Sequence, residues 1–340
     1  MTLSEIDPLL DCRWVDLTER SVRSSIFHTP EWLEALRRTY GYKSVVFTDS
    51  RAGEPLRNGL LFCHVDSWLT GKRFVALPFS DHCEPLLDTP DVLPAFLESI
   101  KGLVGRDCQY IELRPLEMAV DVPGFTRSAV FCAHWIDLRP DLEAIFRGFH
   151  KNHARRAIRK AERSGHVVEV GRSNELLQQF YTLHTMMRRR HRVPVQPFDW
   201  FRNLVDCLGE RLTIFMARYE GQPAATILTV RHQKTLVYKY GCLDPVYKRY
   251  GGTPQLFWMA IQIAKEQGLT VFDLGRSDVD DPGLIAFKDH LGAQRQTLNY
   301  YRYSKHPRRR WVSTLGSAAF ALAPVSVQAG LSGRLYKHFG

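Results

Sequence analysis

The sequence predicts an α/β (α+β) fold of two tandem halves, each a mixed, mostly antiparallel sheet flanked by helices. Three observations carry this reading. The chain has 340 residues, 44% of them hydrophobic, which is enough for two cores of ordinary domain size. Residues 166–303 alternate strand-like and helix-like runs in the order β-α-α-β-β-β-α-β-α-β. A fainter copy of that order lies upstream of residue 140, and a repeat of a whole α/β unit decides architecture before any finer detail.

The upstream copy begins with a helix, TPEWLEALRRTYG (29–41), and continues with strands near 43–49, 58–66 and 72–77. A helix over 91–105, the strand QYIELR (109–114) and a further strand AVFCAHWIDL (129–138) complete it. After a joining segment, HVVEV (166–170) opens the second half. NELLQQFYTLHTMMRRR (174–190) sets Leu177, Phe180, His184 and Met187 on one helical face behind a capping Asn174, and QPFDWFRNLVDCLG (196–209) is a second helix stopped by Gly209. RLTIFMARY (211–219), PAATILTVR (223–231) and TLVYKYG (235–241) are β-branched and aromatic runs split by the short breaks EGQ and HQK, the signature of an antiparallel meander. TPQLFWMAIQIAKEQG (253–268) reads as a helix with Thr253 as N-cap and Pro254 in first position. The strand TVFDLG (270–275), the helix GLIAFKDHLGA (283–293) and the strand QRQTLNYYRY (294–303) follow. The expected domains are 1–140, 141–305 and a basic, apolar tail over 306–340.

Charge is unevenly spread. Residues 1–149 hold 16 Lys/Arg against 22 Asp/Glu, a net −6, whereas residues 150–340 hold 30 against 14, a net +16. The second half is where an anionic partner belongs. The seven cysteines stand singly with no C-x-x-C pair, which suits reduced thiols in a cytosolic compartment better than a disulfide framework or a zinc site. The N-terminus lacks a basic region followed by an apolar run, so no export signal is expected. WVSTLGSAAFALAPVSVQAG (311–330) is free of charge but mild and broken by Pro324; a docked helix is expected there, with membrane-surface contact as the alternative.

Several stretches bear on chemistry. In 141–165 an apolar stripe (Leu142, Ile145, Phe146, Phe149, then Ala154, Ala157, Ile158, Ala161) is ringed by Lys151, Arg155, Arg156, Arg159, Lys160 and Arg163. This is either a solvated helix face or a phosphate-binding surface, with Arg155 and Arg159 as its candidates. RYGGTP (249–254) is a glycine-rich turn between a strand and a helix, able to bind an anion. In GLIAFKDHLGA, Leu284, Phe287 and Leu291 form a buried stripe that also contains Lys288. Either that ammonium escapes along its stem to solvent, or an anion meets it. Asp278, Asp280 and Asp281 suit a helix cap better than a magnesium site. No G-x-S-x-G is present, and His28, His64, His82, His184 and His232 stand isolated, so no serine or cysteine nucleophile with a motif is visible.

Taken together, HARRAIRKAERSG, MMRRRHRVPVQP, YKYG, FDLGRS and GLIAFKDHLGA resemble the tandem-GNAT Fem-type transferases, which attach amino acids from aminoacyl-tRNA to peptidoglycan precursors, and related acetyltransferases of the same fold. The resemblance implies that TLVYKYG and TVFDLG splay apart, with a backbone N–H in the gap holding the acyl carbonyl and the next helix N-terminus holding donor phosphates. Arg249, Gly251, Gly252 and Thr253, with Gly241 and Arg276, become the donor-binding candidates, although Pro254 removes an N–H that coenzyme A normally uses. It further implies that Lys288 faces the donor and steadies negative charge, that Arg189, Arg190 and Tyr240 line the acceptor, and that Asp81 in LPFSDHCEPLL (77–87) is a base or orienting group, with Glu84 second. Tyr238 competes with Tyr240, because alternation places both on one strand face.

The expected function is transfer of an acyl or aminoacyl group from a phosphate-bearing carrier (acyl-CoA, acyl carrier protein or aminoacyl-tRNA) to an amine of a cell-envelope precursor. No tightly bound cofactor and no metal are expected. The rival is a non-catalytic module that holds tRNA or anionic lipid through its basic half. The expected location is cytoplasmic, with the tail able to touch the inner face of the membrane.

Overall fold

The computed structural model describes residues 2–305 and 336–338. The chain divides into two compact units, Met1–Val130 with Leu298–Gly340, and Phe131–Thr297.

The first unit contains β1 (Ser4–Ile6), α1 (Cys12–Arg20), α2 (Pro30–Tyr40), β2 (Lys43–Thr48), β3 (Leu60–Val65), β4 (Arg73–Val75), α3 (Leu93–Ile100) and β5 (Tyr110–Leu113). Its strands pair in chain order, antiparallel except for the parallel pair β4 and β5. Trp14, Phe27, Trp32, Phe62 and Phe96 are fully buried in it. Asp11 caps α1 and Thr29 caps α2, each side chain accepting a backbone N–H two or three residues on.

The strand β6 (Phe125–Asp137) leads into the second unit, which holds α4 (Leu142–Gly148), a π turn over Lys151–Arg155, α5 (Arg156–Arg163), β7 (Val167–Gly171), α6 (Asn174–Arg190), α7 (Phe198–Leu208), β8 (Leu212–Tyr219), β9 (Gln222–His232), β10 (Thr235–Leu243), α8 (Gly252–Glu266), β11 (Val271–Asp278) and α9 (Pro282–His290). Strands β7 to β10 pair in order, antiparallel. β10 and β11 are parallel, and residues 131–137 of β6 flank β11 antiparallel. Phe215, Ile227, Leu256, Phe257, Phe272 and Leu291 form the core beneath α8 and α9. Phe180, Trp200 and Phe201 of α6 and α7 are fully buried on the opposite face.

The two units repeat one plan: two helices between the first and second strands, a meander, a helix, and a strand parallel to its predecessor. The last described strand, β12 (Gln294–Tyr303), departs from the sequence reading, which closes the second half with it. Its residues 301–303 pair antiparallel with β5, so the sixth strand of the first unit arrives from beyond the second. Among smaller differences, β1 and α1 are absent from the sequence reading. α6 is capped by Ser173, whose hydroxyl accepts the Leu176 N–H, rather than by Asn174. α8 starts two residues earlier than expected, with Gly251 at its N-cap instead of Thr253 and Pro254 in the third position instead of the first. The apolar stretch 311–330 lies outside the described residues. Among the described residues no helix is long and apolar enough to cross a membrane.

Candidate active site

The parallel register of β10 and β11 spans only Thr235↔Val271, Leu236↔Phe272 and Val237↔Asp273. Beyond it both strands continue on their outer partners, and both are bulged at that point. β10 shifts register against β9 between Tyr238 and Tyr240, and β11 shifts against β6 between Asp273 and Arg276. A bulge adds a residue to one strand and bends it, so paired bulges open a gap between neighbours. Gly275 has φ +68°, a left-handed conformation glycine adopts without a Cβ clash, and its N–H donates to Asp273 Oδ1 at 2.7 Å.

Lys288 supports this bulge. It is the buried residue of α9, 2% exposed, and its Nζ donates to the carbonyls of Gly275 at 3.1 Å and Arg276 at 3.0 Å. The ammonium therefore does not run to solvent, and the backbone of the bulge supplies the hydrogen bonds that a buried charge requires. His134 of β6 stands opposite Leu274 and Gly275. Its ring is buried, neither nitrogen has a hydrogen-bond partner among the described residues, and Nε2 lies 3.9 Å from the Asp289 carboxylate. Burial, and then the charge of Lys288, hold it down at about 4, so it is neutral at pH 7. Sequence reading passed over His134, because one histidine in an apolar strand carries no motif.

The bulge also separates the two tyrosines. Instead of sharing a face, Tyr238 packs on Phe257 of α8 at 4.8 Å, while Tyr240 meets α7 and α6 through Phe201 at 5.1 Å and His184 at 5.8 Å. Tyr240 Oη accepts the Trp200 indole N–H at 2.8 Å. Glycine at 241 is explained by Tyr238, since a Cβ there would lie 2.2 Å from its hydroxyl.

Packing also accounts for the glycines of the turn before α8. Gly251 has φ +83°, and a Cβ on it would lie 2.3 Å from the carbonyl oxygen of Ala157 in α5. A Cβ on Gly252 would press on Ala217 and Ala225 at 3.3 and 3.5 Å. The basic helix α5 thus lies against the start of α8. Thr253 does not cap this helix, and its buried hydroxyl has no hydrogen-bond partner among the described residues. Arg249 instead reaches Tyr250, its Nη2 donating to the hydroxyl at 2.7 Å and its guanidinium lying 4.8 Å from the ring centroid. Tyr250 stacks on Tyr219 at 4.1 Å, and Lys160 of α5 lies 5.9 Å from the Tyr250 centroid. These rings come from β8 and the turn after β10, so the basic segment acquires aromatic neighbours that its own sequence lacks. Arg159 is exposed on α5 and Arg155 is half-buried with its Nε unpartnered. Arg276 lies 4.0 Å from the Phe131 ring. Arg189 and Arg190 are exposed at the C-terminus of α6, where cations complement the helix dipole. The next arginine in chain order before them, Arg188, binds the Pro194 carbonyl. Asp281 caps α9 by accepting the Leu284 N–H at 2.9 Å, as the sequence suggests.

In the first unit, Asp81 is half-buried on the loop after β4, and its carbonyl accepts the Tyr300 hydroxyl at 2.6 Å. Leu77 and Phe79 of that loop have φ +63° and +62°, strain that persists only where the surroundings impose it. Here Arg114 does so, donating to the Leu77 carbonyl at 2.7 Å and pairing with Glu112 at 2.9 Å. Burial opposes the Glu112 charge, but Arg114 and Arg302 outweigh it and keep the carboxyl below its ordinary range. Glu84 is otherwise engaged: its carboxylate accepts the backbone N–H groups of Leu116, Glu117 and Met118 and is 4% exposed. That geometry anchors the 116–118 segment and leaves the carboxylate poorly suited to hold an acceptor. Sequence reading also passed over three histidines that meet in the second unit, His150, His153 and His290, although the i, i+3 spacing of the first two was visible.

The acetyltransferase (GNAT) domain family matches residues 148–288, ending on Lys288. The UDP-N-acetylmuramoylpentapeptide-lysine N(6)-alanyltransferase of Weissella viridescens is 27% identical over 137 residues, 38% of this chain and 40% of that protein. The chain thus matches about two fifths of that relative's length. Among solved structures, FemX superposes with a TM-score of 0.69 at 14% identity over 94% of this chain and 100% of that one. A tandem GNAT protein from the clavulanic acid biosynthesis pathway gives 0.56 at 12% identity, over 91% and 100%. The repeated plan and the splayed strands define a protein of tandem GNAT fold. Within that fold the chain is similar to FemX in structure and, over about two fifths of its length, to an alanyltransferase in sequence.

Proposed function

We propose that this protein is an aminoacyltransferase that moves an aminoacyl group from a phosphate-bearing carrier onto a primary amine of a peptidoglycan precursor. The observation that carries this reading is the gap between β10 and β11, with the buried Lys288 ammonium fixed to its bulge. An acyl group seated in that gap meets backbone N–H groups beside the Lys288 side chain. As the amine nitrogen attacks the acyl carbon, the charge that collects on the carbonyl oxygen is stabilised by groups already in place. The bond to the carrier oxygen then breaks, and the proton lost by the amine passes to that oxygen. No covalent enzyme intermediate is required, in keeping with thiols that burial keeps protonated: Cys83 and Cys242 are both pushed well above the ordinary thiol range.

Charged tRNA suits this surface better than coenzyme A. The start of α8 is occupied by α5 and has lost a donor to Pro254, whereas the Tyr219 and Tyr250 stack beside Arg249, Lys160 and Arg159 joins ring faces to cations, a combination that binds nucleic acid. The sequence similarity to an N(6)-alanyltransferase supports a lysine side chain of a muramoyl peptide as acceptor. The test incubates the protein with UDP-muramoyl-pentapeptide and either alanyl-tRNA or acetyl-CoA, and follows the peptide by mass spectrometry. A gain of one aminoacyl residue from tRNA is expected, and Tyr250→Ala should raise the KM for tRNA by about tenfold, the loss of one stacking contact, with kcat kept. Transfer from acetyl-CoA alone, or from neither donor, overturns the proposal.

A further inference from the structure

We propose that His150, His153 and His290 form a binding site for one divalent transition-metal ion of the zinc class. Their ligand nitrogens all lie within 4.8 Å of one another. Ring centroids are 4.6 Å apart for His150 and His153, 4.7 Å for His150 and His290, and 4.0 Å for His153 and His290, whose planes differ by 7°. Two independent segments bring them together, the π turn before α5 and the end of α9. The backbones are tied directly: His150 N–H donates to the His290 carbonyl at 2.9 Å. Gly292, at φ +71°, lies so close to the Gly148 carbonyl that a Cβ would be 3.0 Å from it. The scaffold is thus fixed while the rings keep freedom, His150 and His153 being exposed and His290 half-buried.

Three imidazoles select zinc, nickel, copper or cobalt over magnesium or calcium, which prefer oxygen. Zinc–nitrogen bonds of about 2.0–2.1 Å in a tetrahedron place nitrogens roughly 3.4 Å apart, so the widest present separation must close by about 1.4 Å. Rotation of two exposed side chains supplies that. One hydrogen bond changes in the process, the long 3.3 Å contact from Asn152 N–H to His150 Nδ1. Three protein ligands leave a fourth position for water or an incoming oxygen. The ion would clamp the start of the basic helix to the end of the helix that carries Lys288. Lys151 and Arg155 on the same turn make an anion the competing occupant.

The site is tested on the full-length protein after metal removal, by calorimetric titration with zinc and by cobalt titration read from visible absorption. Saturation at one equivalent, intense low-symmetry cobalt bands and a raised melting temperature with zinc are expected. His153→Ala and His290→Ala should each weaken binding at least about tenfold, the scale of a lost ligand-shell interaction, while retaining wild-type circular dichroism. His153 is exposed, so at least that variant should fold. Absence of saturable binding to the wild type overturns the proposal, as does wild-type affinity in both variants. Histidine-dependent stabilisation by inorganic phosphate but not by zinc overturns it in favour of an anion site.

Discussion

Replacing Lys288 by methionine keeps most of the stem and removes the ammonium, which isolates what the charge does. The carbonyls of Gly275 and Arg276 lie 3.1 and 3.0 Å from the Nζ of Lys288, a residue 2% exposed, so water replaces the lost donor poorly at the buried Gly275 contact and only in part at the part-buried Arg276 contact. Stranding a buried acceptor costs about 1–3 kcal/mol, and two of them give roughly 2–6 kcal/mol, partly offset because methionine is cheaper to bury than a cation. For a domain of this size each kcal/mol moves the melting temperature by about 2–4 °C. A fall of about 5–20 °C is expected, measured by circular dichroism together with urea unfolding. Transfer is then assayed well below the new melting temperature, where the variant is folded, and kcat should still be down by about a hundredfold or more, the typical loss for one electrostatic contributor. If Lys288→Met unfolds within about 0.5 kcal/mol of the wild type and turns over normally, the ammonium neither holds the bulge nor serves the reaction, and the argument fails.

Buried His134 and His184 are both held at about 4, below the ordinary 6.5, first by burial. Below pH 6.5 the unfolded chain takes up protons that the native protein refuses, so stability is complete above that pH and is lost as pH falls toward 4, by up to about 1.4 kcal/mol per pH unit for each histidine. Urea midpoints at about pH 7 and about pH 5 test this, and equal midpoints would count against it. Glu84→Gln weakens acceptance from the N–H groups of Leu116, Glu117 and Met118 and should cost about 1–3 kcal/mol in urea unfolding. Unchanged stability with a raised acceptor KM would instead restore Glu84 to the acceptor site. Gly251→Ala puts a Cβ where the Ala157 carbonyl stands, at a left-handed φ, and should cost more than about 2 kcal/mol; a melting temperature equal to wild type would show that α5 does not rest there.

The fold was largely legible because each strand and helix announces its own period. α6 and β12 fall within the bounds that the letters suggest. What escaped was set by pairing, which periodicity does not encode. The destination of β12 depends on β5, nearly 200 residues earlier in the chain. Strict alternation put Tyr238 and Tyr240 on one face, and an inserted residue in β10 reversed that. At the site, Lys288 was conspicuous as a charge in an apolar stripe, yet its partners are main-chain carbonyls that no motif names. Glu84 was readable as a carboxylate but not as one already occupied by three amides. His150 and His153 show two of the three members of a pattern, and the third lies in α9.

The flanking of β11 by β6 bears on how the molecule can be dissected. The recognised stretch 148–288 begins after residues 131–137. A recombinant fragment trimmed to those limits would leave β11 as an open sheet border with bare amides and carbonyls, the template for self-association. It would also discard His134, the ring facing the kink. Insolubility of such a fragment would therefore report a missing neighbour strand rather than an inherently unstable second unit, and expression should begin upstream of Phe131.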